Sequence, residues 1–363
     1  MDGEAVPEIE LRPWSPDDLD LMIALLGDPA MTEHLGGPET PEALRKRLDR
    51  YLAMTPAEGR MFVITVGSKR QPAGSVGYWP HESGSLETGW SVLPACQGRG
   101  VATRGTSQCL DIAAAVGGSE TIHAYPAVDN VPSNALSRTL GFELLRQERF
   151  EYPKGHWMTC NDWSLDLTRR RLESARYDIV GERVALGPVR RELYPLHQAW
   201  LNDPEVAWNV LGAPVRRSYE EERDWIDGFL AEPTNRLWLM YRTDEFRPIG
   251  LAALTEVGIP EGTATFRTLI GDARDRGKGF GRASSELVLR YAFEALGLRE
   301  LRLDVYGFNA AGLRLYERLG FREVDRHPMK LDRDGRRWDV IRMTTTRPDA
   351  AAPRQPAARP TAR

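Results

Sequence analysis

Short stretches in which apolar and polar residues alternate are spaced along the first half of the chain, and this pattern predicts β-strands. Three of them follow one another across polar or Gly/Pro turns, so we expect an antiparallel meander. Apolar runs of helical length, the first one preceded by a capping sequence at residues 15–18, predict helices. The predicted strands are residues 8–12, 61–66, 74–78, 87–93 and 121–125, and the predicted helices are residues 19–26, 103–116 and 132–140.

The second half of the chain repeats this order of elements. Its predicted strands are residues 184–190, 237–242, 249–254, 264–270 and 301–306, and its predicted helices are residues 282–296 and 310–319. The pattern predicts two copies of one α/β (α+β) fold, each with a mostly antiparallel sheet flanked by helices.

A glycine-rich pattern lies between the fourth strand and the next helix in both halves. It occurs as Gln97-Gly-Arg-Gly-Val-Ala102 and as Arg276-Gly-Lys-Gly-Phe-Gly281. Three landmarks recur at one separation of 179 residues: Gly100 as Gly279, Asn130 as Asn309, and Gly141 as Gly320. This constant register is strong evidence for an internal duplication.

The duplication sets the expected domain boundaries. We expect a first domain at residues 1–168, a linker at 169–177 and a second domain at 178–346. Residues 347–363 contain prolines, alanines and arginines with almost no side chains to bury, which predicts a disordered tail.

Composition narrows the class of protein. The chain has 363 residues, of which 41% are hydrophobic, and ten tryptophans, so it can fill two separate cores. Its three cysteines, Cys96, Cys109 and Cys160, are too scattered for a disulfide framework or a zinc cluster. The six histidines have no metal-binding spacing either, so we expect no metal. Because the cysteines form no disulfide framework, we expect a reducing, cytoplasmic location.

Charge and hydropathy exclude two further classes of partner. A net charge of −4 and an isoelectric point near 6.0 argue against nucleic acid as a partner. The sequence has no apolar run of eighteen residues, so we expect no membrane association. The composition leaves the choice between a monomer and a homodimer open.

The glycine-rich pattern indicates an anion site. Small residues let the backbone approach a phosphate, and the first N–H groups of the following helix have no partner within the helix. The G-x-G-x-x-G dinucleotide fingerprint fails, since Thr103 and Arg282 stand at the third glycine position. The phosphate-binding P-loop fails too, because Gly-Lys-Ser/Thr is missing at the right spacing. The alternative is a pair of structural turns between strand and helix, which is less easily reconciled with two copies.

With these motifs, both halves resemble GNAT-superfamily N-acetyltransferases, whose pattern is Gln/Arg-x-x-Gly-x-Gly/Ala. Asn309-Ala-Ala-Gly-Leu-Arg-Leu-Tyr-Glu-Arg-Leu-Gly-Phe321 is similar to the family's downstream motif, and the sequence from Asn130 to Phe142 is similar to the variant found in the RimJ/RimL-like branch. The resemblance implies two tandem GNAT folds, with acetyl-CoA as co-substrate held by the glycine-rich loop, the splayed edge of strand four and the asparagine. The implied coenzyme-binding residues are Val92, Gln97, Gly98, Arg99, Gly100, Val101, Ala102, Asn130, Ser133, Arg276, Gly277, Lys278, Gly279, Phe280, Gly281 and Asn309.

The resemblance also implies catalytic residues, and here the copies differ. Glu87 stands where this branch often has its general base, and Tyr316 stands where the family has the acid that protonates the thiolate. The first copy has Ser137 at the tyrosine position, which is a poor acid. The second copy has Phe266 at the base position, or Thr265 if the segment after strand four is one residue longer.

Other titratable residues offer substitutes for these roles. In the second copy, Asp304 on strand five and Glu261 in the preceding turn are alternative carboxylates, although acidic residues on strand five are more often structural in the family. In the first copy, His123 is either a base or a packed histidine. A site without a carboxylate base still suits an amine of low pKa, because such an amine is partly neutral at pH 7.

Three functions remain open at the level of the sequence. The first is an acetyl-CoA-dependent N-acetyltransferase acting on a primary amine of a small molecule such as an antibiotic, a polyamine or an amino-acid derivative. The second is a protein N-terminal acetyltransferase, which the RimJ/RimL-like first half favours. The third is a non-catalytic tandem acyl-CoA-binding protein.

Overall fold

The computed structural model describes residues 8–54, 59–81, 84–151, 157–174, 176–333 and 335–347. The strands of the first half are β1 (Ile9–Pro13), β2 (Arg60–Val66), β3 (Gln71–Pro80), β4 (Leu86–Val92), β5 (Thr121–Ala124), β6 (Glu143–Glu151) and β7 (Trp157–Asp166). The helices of this half are α1 (Leu19–Leu26), α2 (Pro41–Ala53), α3 (Val101–Val116), α4 (Val131–Thr139) and α5 (Leu167–Ser174). The strands form one sheet in the order β1-β2-β3-β4-β5-β7-β6.

The second half has its own sheet. Its strands are β8 (Ile179–Val180), β9 (Val184–Pro188), β10 (Arg236–Arg242), β11 (Pro248–Gly258), β12 (Thr263–Ile270), β13 (Glu300–Tyr306), β14 (Arg322–Arg333) and β15 (Arg336–Thr346). Its helices are α6 (Tyr194–Leu201), α7 (Pro204–Leu211), α8 (Tyr219–Ala231), α9 (Phe280–Arg290) and α10 (Ala310–Arg318). The sheet order is β14-β15-β13-β12-β11-β10-β9-β8.

Alternation along β2 explains why the first sheet has a helix layer on each face. Phe62 and Ile64 are buried in the core under α3, whereas Val63 is buried with the residues of α1 and α2 on the opposite face. Gly105 lets α3 lie close to the sheet, since a Cβ there would be 2.8 Å from Cδ1 of Ile64. Both faces of the sheet are therefore covered, which fixes the strand register.

Each sheet contains one parallel pair of strands, and that pair is short. β4 and β5 pair only at Leu86 with Ile122 and at Glu87 with His123. β12 and β13 pair over three residues, ending at Thr265 with Arg302. Beyond these last pairs the two strands of each half separate, so each sheet has an opening that leads towards the glycine-rich loop.

Most elements agree with the sequence-based prediction. The architecture is the predicted one, with two mixed, mostly antiparallel sheets flanked by helices, and the meander β2-β3-β4 is antiparallel. Two segments have structure that the sequence analysis did not assign. The segment predicted as a linker at 169–177 carries most of α5, whose Arg170 donates to Asp111 of α3 at 2.9 Å. The helix predicted to run to residue 296 ends in a π-helical turn at Tyr291–Ala295.

The two halves contact each other directly. The hydroxyl of Tyr219 in α8 donates to Glu10 of β1 at 2.8 Å, and Arg274 donates to the carbonyl of Val116 at 2.7 Å. Arg274 lies in the turn just before the second glycine-rich loop. That loop is therefore anchored to the end of α3.

Three further features concern the C-terminal tail, the cysteines and the length of the helices. Apart from Arg347, the tail predicted at 347–363 lies outside the described residues. All three cysteines are free. In the described part of the chain, none of the helices combines the length and the apolar character needed to cross a bilayer.

Candidate active site

The glycine-rich loops lead into helices whose N-termini carry no side-chain cap. The N-cap residues of α3 and α9 are Gly100 and Gly279, with φ of 73° and 86°, a left-handed conformation that glycine adopts without strain. Gly98 and Gly277 also have positive φ, and a Cβ at either position would meet no atom within 4 Å. No side chain therefore caps the first-turn N–H groups of these two helices, and their predicted contact with a phosphate remains a prediction.

Unlike α3 and α9, the helices α4 and α10 each have an asparagine side chain as their N-terminal cap. Asn130 caps α4, where its Oδ1 accepts from the Ser133 N–H at 3.1 Å. Asn309 caps α10 in the same way, accepting from the Gly312 N–H at 2.8 Å. The structure thus gives both asparagines a capping role that the sequence analysis did not assign, and their predicted contact with the coenzyme remains a prediction.

The first residue of each loop ties it to the end of the fourth strand. Gln97 donates from Nε2 to the carbonyl of Val92 at 2.9 Å, and Arg276 donates from Nε to the carbonyl of Ile270 at 3.3 Å. Arg276 also pairs with Asp203 and Glu205 at the start of α7, at 2.8 and 2.7 Å. The family-motif glutamine or arginine thus holds the loop against the fourth strand in both copies, and its predicted contact with the coenzyme remains a prediction.

The remaining loop residues divide into anchors and exposed positions. Val101 and Phe280, the first residues of α3 and α9, are 2% and 3% exposed and hold the helix ends in the core. Arg99 and Lys278 are exposed at the centre of each loop, and Ala102 and Gly281 provide the small residues that follow. Arg183 reaches the second loop, where it donates to the Lys278 carbonyl at 3.0 Å and adds positive charge.

In the first half, Glu87 lies at the point where β4 and β5 separate. It pairs with His123 in the last register position, and both side chains lie on the sheet face opposite α3. Burial raises the pKa of Glu87 above its usual value, while a hydrogen bond from Trp79 and the charges of His81 and His123 oppose that rise. A carboxylate with a raised pKa is a better proton acceptor, which suits a general base.

A buried carboxylate orients the histidine beside Glu87. Nδ1 of His123 lies 2.6 Å from Oδ1 of Asp162, whose side chain is 1% exposed. A carboxylate at Nδ1 favours the tautomer with its proton there and leaves Nε2 as the proton acceptor. The rings of His81 and Tyr125 stack near that of His123, with centroids 6.3 and 5.9 Å away.

These side chains open into a cavity of about 890 Å³ that both halves line. The first half contributes the stacked rings and Asp162, and the second half contributes charged residues around its glycine-rich loop. The second copy therefore lines part of the cavity into which His123 and Asp162 open. The charged lining residues from the second half are Arg242, Glu245, Arg247, Arg274, Asp275 and Lys278.

Strand register decides which residue of the second half corresponds to Glu87. Gly74 pairs with Val92 in the first sheet, and Gly250 pairs with Ile270 in the second, so the following segment is one residue longer in the second half. The counterpart of Glu87 is therefore Thr265, and the alternative assignment to Phe266 is wrong. Phe266 points into the core, where it is 2% exposed.

At the position of the acid that protonates the thiolate, the second half has the expected residue and the first half does not. Tyr316 of α10 is 9% exposed, its ring packs edge-on against Phe266 and Phe321, and burial raises its pKa to about 12. Its hydroxyl thus stays protonated and can donate. Ser137 of the first half is fully buried, and its hydroxyl donates to the Ser133 carbonyl at 3.2 Å, so it is unsuited to protonate a ligand.

The structure thus places Glu87 at the last pair of β4 with β5 and Tyr316 in the core against Phe266 and Phe321, and their catalytic roles remain predictions. Sequence reasoning missed Asp162 and His81 in the first half. Asp162 is separated by 39 residues from the histidine it orients, and only strand pairing brings the two together. Among the described residues, no group of three or more His, Cys, Asp or Glu side chains is arranged to hold a metal ion.

Comparison with known proteins gives several relatives. The chain is 27% identical over 119 residues to the SPbeta prophage-derived uncharacterized N-acetyltransferase YokL of Bacillus subtilis, a match covering 33% of this chain and 66% of that protein. It is 35% identical over 95 residues to spermidine N(1)-acetyltransferase of Vibrio cholerae, covering 26% of this chain and 54% of that protein. The chain thus spans between half and two thirds of the length of these relatives.

A solved structure is also similar. The crystal structure of spermidine N-acetyltransferase from Vibrio cholerae in complex with CoA and spermine is 24% identical, with a TM-score of 0.42, and the match covers 46% of this chain and 96% of that one. The family model described as acetyltransferase (GNAT) domain matches residues 8–143 and again residues 183–322. These two stretches make up well over half of the chain and confirm the predicted tandem arrangement. The chain belongs to the GNAT acetyltransferase domain family, with one copy of the domain in each half.

Proposed function

We propose that the chain is an acetyl-CoA-dependent N-acetyltransferase that acts on a primary amine of a small molecule. One observation carries the proposal. In the first half, α3 begins at Gly100 without a side-chain cap, and the opening between the parallel strands β4 and β5 leads towards it. Glu87 lies at the last pair of these strands, where the opening begins. Family membership and relatives named as N-acetyltransferases, one of them acting on spermidine, support the same reaction.

The loop residues fit the phosphates of a coenzyme. Uncapped first-turn amides of α3, together with the helix dipole, stabilise a pyrophosphate, and Gly98 and Gly100, which adopt positive φ without strain, place no side chain in its path. The same description applies to α9 with Gly277 and Gly279. Bound acetyl-CoA supplies the thioester carbonyl that an amine attacks.

The side chains at the apex of the first site can accept the proton that the amine must lose before it attacks the thioester. An alkyl amine of pKa about 10.4 is protonated at pH 7, and removing that proton costs roughly 4 kcal/mol. Glu87 accepts the proton, directly or through water, and its burial favours the protonated carboxyl that results. His123, held by Asp162, offers Nε2 as a second acceptor on the same face of the sheet.

The proposal is tested by thiol release. The purified chain is incubated with acetyl-CoA and a panel that contains polyamines, amino acids, aminoglycosides and a peptide with a free N-terminus. We expect amine-dependent release of free thiol and an acetylated small molecule identified by mass. Acetylation of the peptide alone would replace the proposal by a protein N-terminal acetyltransferase. Coenzyme binding without thiol release would make the chain a non-catalytic binding protein.

A further inference from the structure

We propose that Glu256 is the proton acceptor of a second active site, supplied by β11 in place of a glutamate on the fourth strand. This inference rests on the proposed function. It concerns the half of the chain in which the sequence leaves no base at the expected position. If it holds, both copies catalyse acetyl transfer with carboxylates of different origin.

The position equivalent to Glu87 cannot accept the proton itself. The last pair between β12 and β13 joins Thr265 with Arg302, as the last pair between β4 and β5 joins Glu87 with His123. Thr265 therefore stands at the apex of the second opening. A threonine hydroxyl is far too weak a base to deprotonate an alkylammonium ion.

A carboxylate nevertheless reaches this apex from the neighbouring strand. The Thr265 hydroxyl donates to Oε2 of Glu256 at 3.0 Å. Thr265 pairs with Thr255 of β11, and Glu256 is the next residue along that strand. The carboxylate thus lies on the face of the sheet that corresponds to the face of Glu87 in the first half, and it is exposed to an incoming acceptor.

The backbone at Glu256, whose carboxylate contacts Thr265, has an unfavourable conformation. Its φ is +55°, in the left-handed region that residues other than glycine adopt only at an energetic cost. The register between β11 and β12 shifts between Thr255 and Gly258, so a β-bulge lies at this point. Bulges and strained residues next to active sites re-aim side chains, and here the effect is to bring the Glu256 carboxylate to Thr265.

The alternatives considered from the sequence fit less well. Asp304 forms an ion pair with Arg342 at 2.9 Å, which occupies its carboxylate. Glu261 lies beyond the bulge in the turn that leads into β12, against Gly258. Of the three carboxylates, Glu256 is the one that contacts the apex residue.

Residues of the second half supply and accept every proton that the reaction needs. The amine nitrogen forms a bond to the thioester carbonyl carbon, and its proton passes to the Glu256 carboxylate. The C–S bond breaks, and the departing thiolate takes a proton from Tyr316, whose raised pKa of about 12 keeps it protonated until then. Exchange with solvent returns Glu256 to its ionised form and Tyr316 to its neutral form.

The test isolates the second site. Gly100→Glu places a charged side chain in the first phosphate loop, so only the second loop can bind acetyl-CoA in that protein. In this background Glu256→Gln is compared with the matched control Glu261→Gln, with coenzyme binding followed by calorimetry. We expect Glu256→Gln to lower kcat by about 10²-fold or more without weakening coenzyme binding, and Glu261→Gln to leave kcat unchanged.

A glycine variant separates catalysis from folding. Glu256→Gly removes both the carboxylate and the strain at φ +55°, so we expect an unchanged or higher Tm together with the same loss of kcat. If Glu256→Gln keeps its rate, the assignment of Glu256 is wrong while the proposed function stands. The same conclusion follows if wild type turns over and the Gly100→Glu protein does not. If wild type releases no thiol with any amine, the proposed function itself fails, and the role of Glu256 with it.

Discussion

The two halves of the chain keep the same coenzyme-facing architecture and differ in the acceptor-facing side chains. In both, a glycine with positive φ begins a helix without a side-chain cap, and a Gln or Arg ties the loop to the fourth strand. At the apex, however, the first half has Glu87 and His123 where the second has Thr265 and Arg302. The two copies thus share the backbone conformation around their glycine-rich loops and differ in the side chains at the last pair of the two parallel strands.

The largest expected difference between the copies concerns Glu87. In a Gly279→Glu background, which leaves only the first loop for coenzyme, we expect Glu87→Gln to lower kcat by about 10²-fold to 10⁴-fold, because the carboxylate that accepts the amine proton is lost. Steady-state thiol release measures this, with the exposed Glu294→Gln as control. An unchanged kcat would remove Glu87 from the mechanism.

Tyr316 should matter to one copy alone. We expect Tyr316→Phe to lower kcat of the second site by roughly 10-fold to 100-fold, because the thiolate then leaves without a proton donor. Ser137→Ala at the equivalent place in the first half should have little effect on turnover there, since that hydroxyl is bonded to the Ser133 carbonyl. Equal losses in the two variants would contradict the assigned asymmetry.

Asp162 provides a finer test of the first site as a positioning residue. Asp162→Asn keeps the shape of the side chain but removes the carboxylate that holds the His123 proton on Nδ1. We expect about a 10-fold loss of kcat at the first site, with the acetyl-CoA affinity unchanged. The exposed pair of His327 and Asp325, at 3.2 Å, offers the matched control Asp325→Asn, which should not alter kcat.

The smallest expected effect is on stability, and its sign follows from the raised pKa of Glu87. A carboxyl whose pKa is higher in the folded state is destabilising when ionised, and this penalty disappears as the pH falls below the usual value for glutamate. Glu87→Gln should therefore raise Tm slightly at pH 7 and have almost no effect at pH 4. Thermal melts at the two pH values check this, and a lower Tm at pH 7 would contradict it.

Much of the fold was predictable because its signals are local. Alternation and turn residues indicated the strands of each meander, and the repeated glycine motif indicated the duplication and both phosphate loops. The helix over residues 169–174 was not predicted because α5 is stabilised by a distant partner, Asp111 on α3. Tertiary contacts, not local pattern, decide such segments.

The acceptor-facing residues were less predictable, for a related reason. Glu87 and Tyr316 followed from motif positions, whereas Asp162 and Glu256 act through contacts across strands. The choice between Thr265 and Phe266 depended on one extra residue before Arg276, which only the register of β11 with β12 reveals. The positive φ at Glu256 has no signature in the sequence, since the residue there is not a glycine.

The central claim is that both halves hold acetyl-CoA, and calorimetric titration tests it most directly. Wild type is compared with Gly100→Glu and Gly279→Glu, and with Gly67→Glu and Gly297→Glu, two positions that also have positive φ and open surroundings. We predict a stoichiometry of two for wild type and for both control variants, falling to one in each loop variant. A stoichiometry of one in wild type, lost in a single loop variant, would contradict the two-site account.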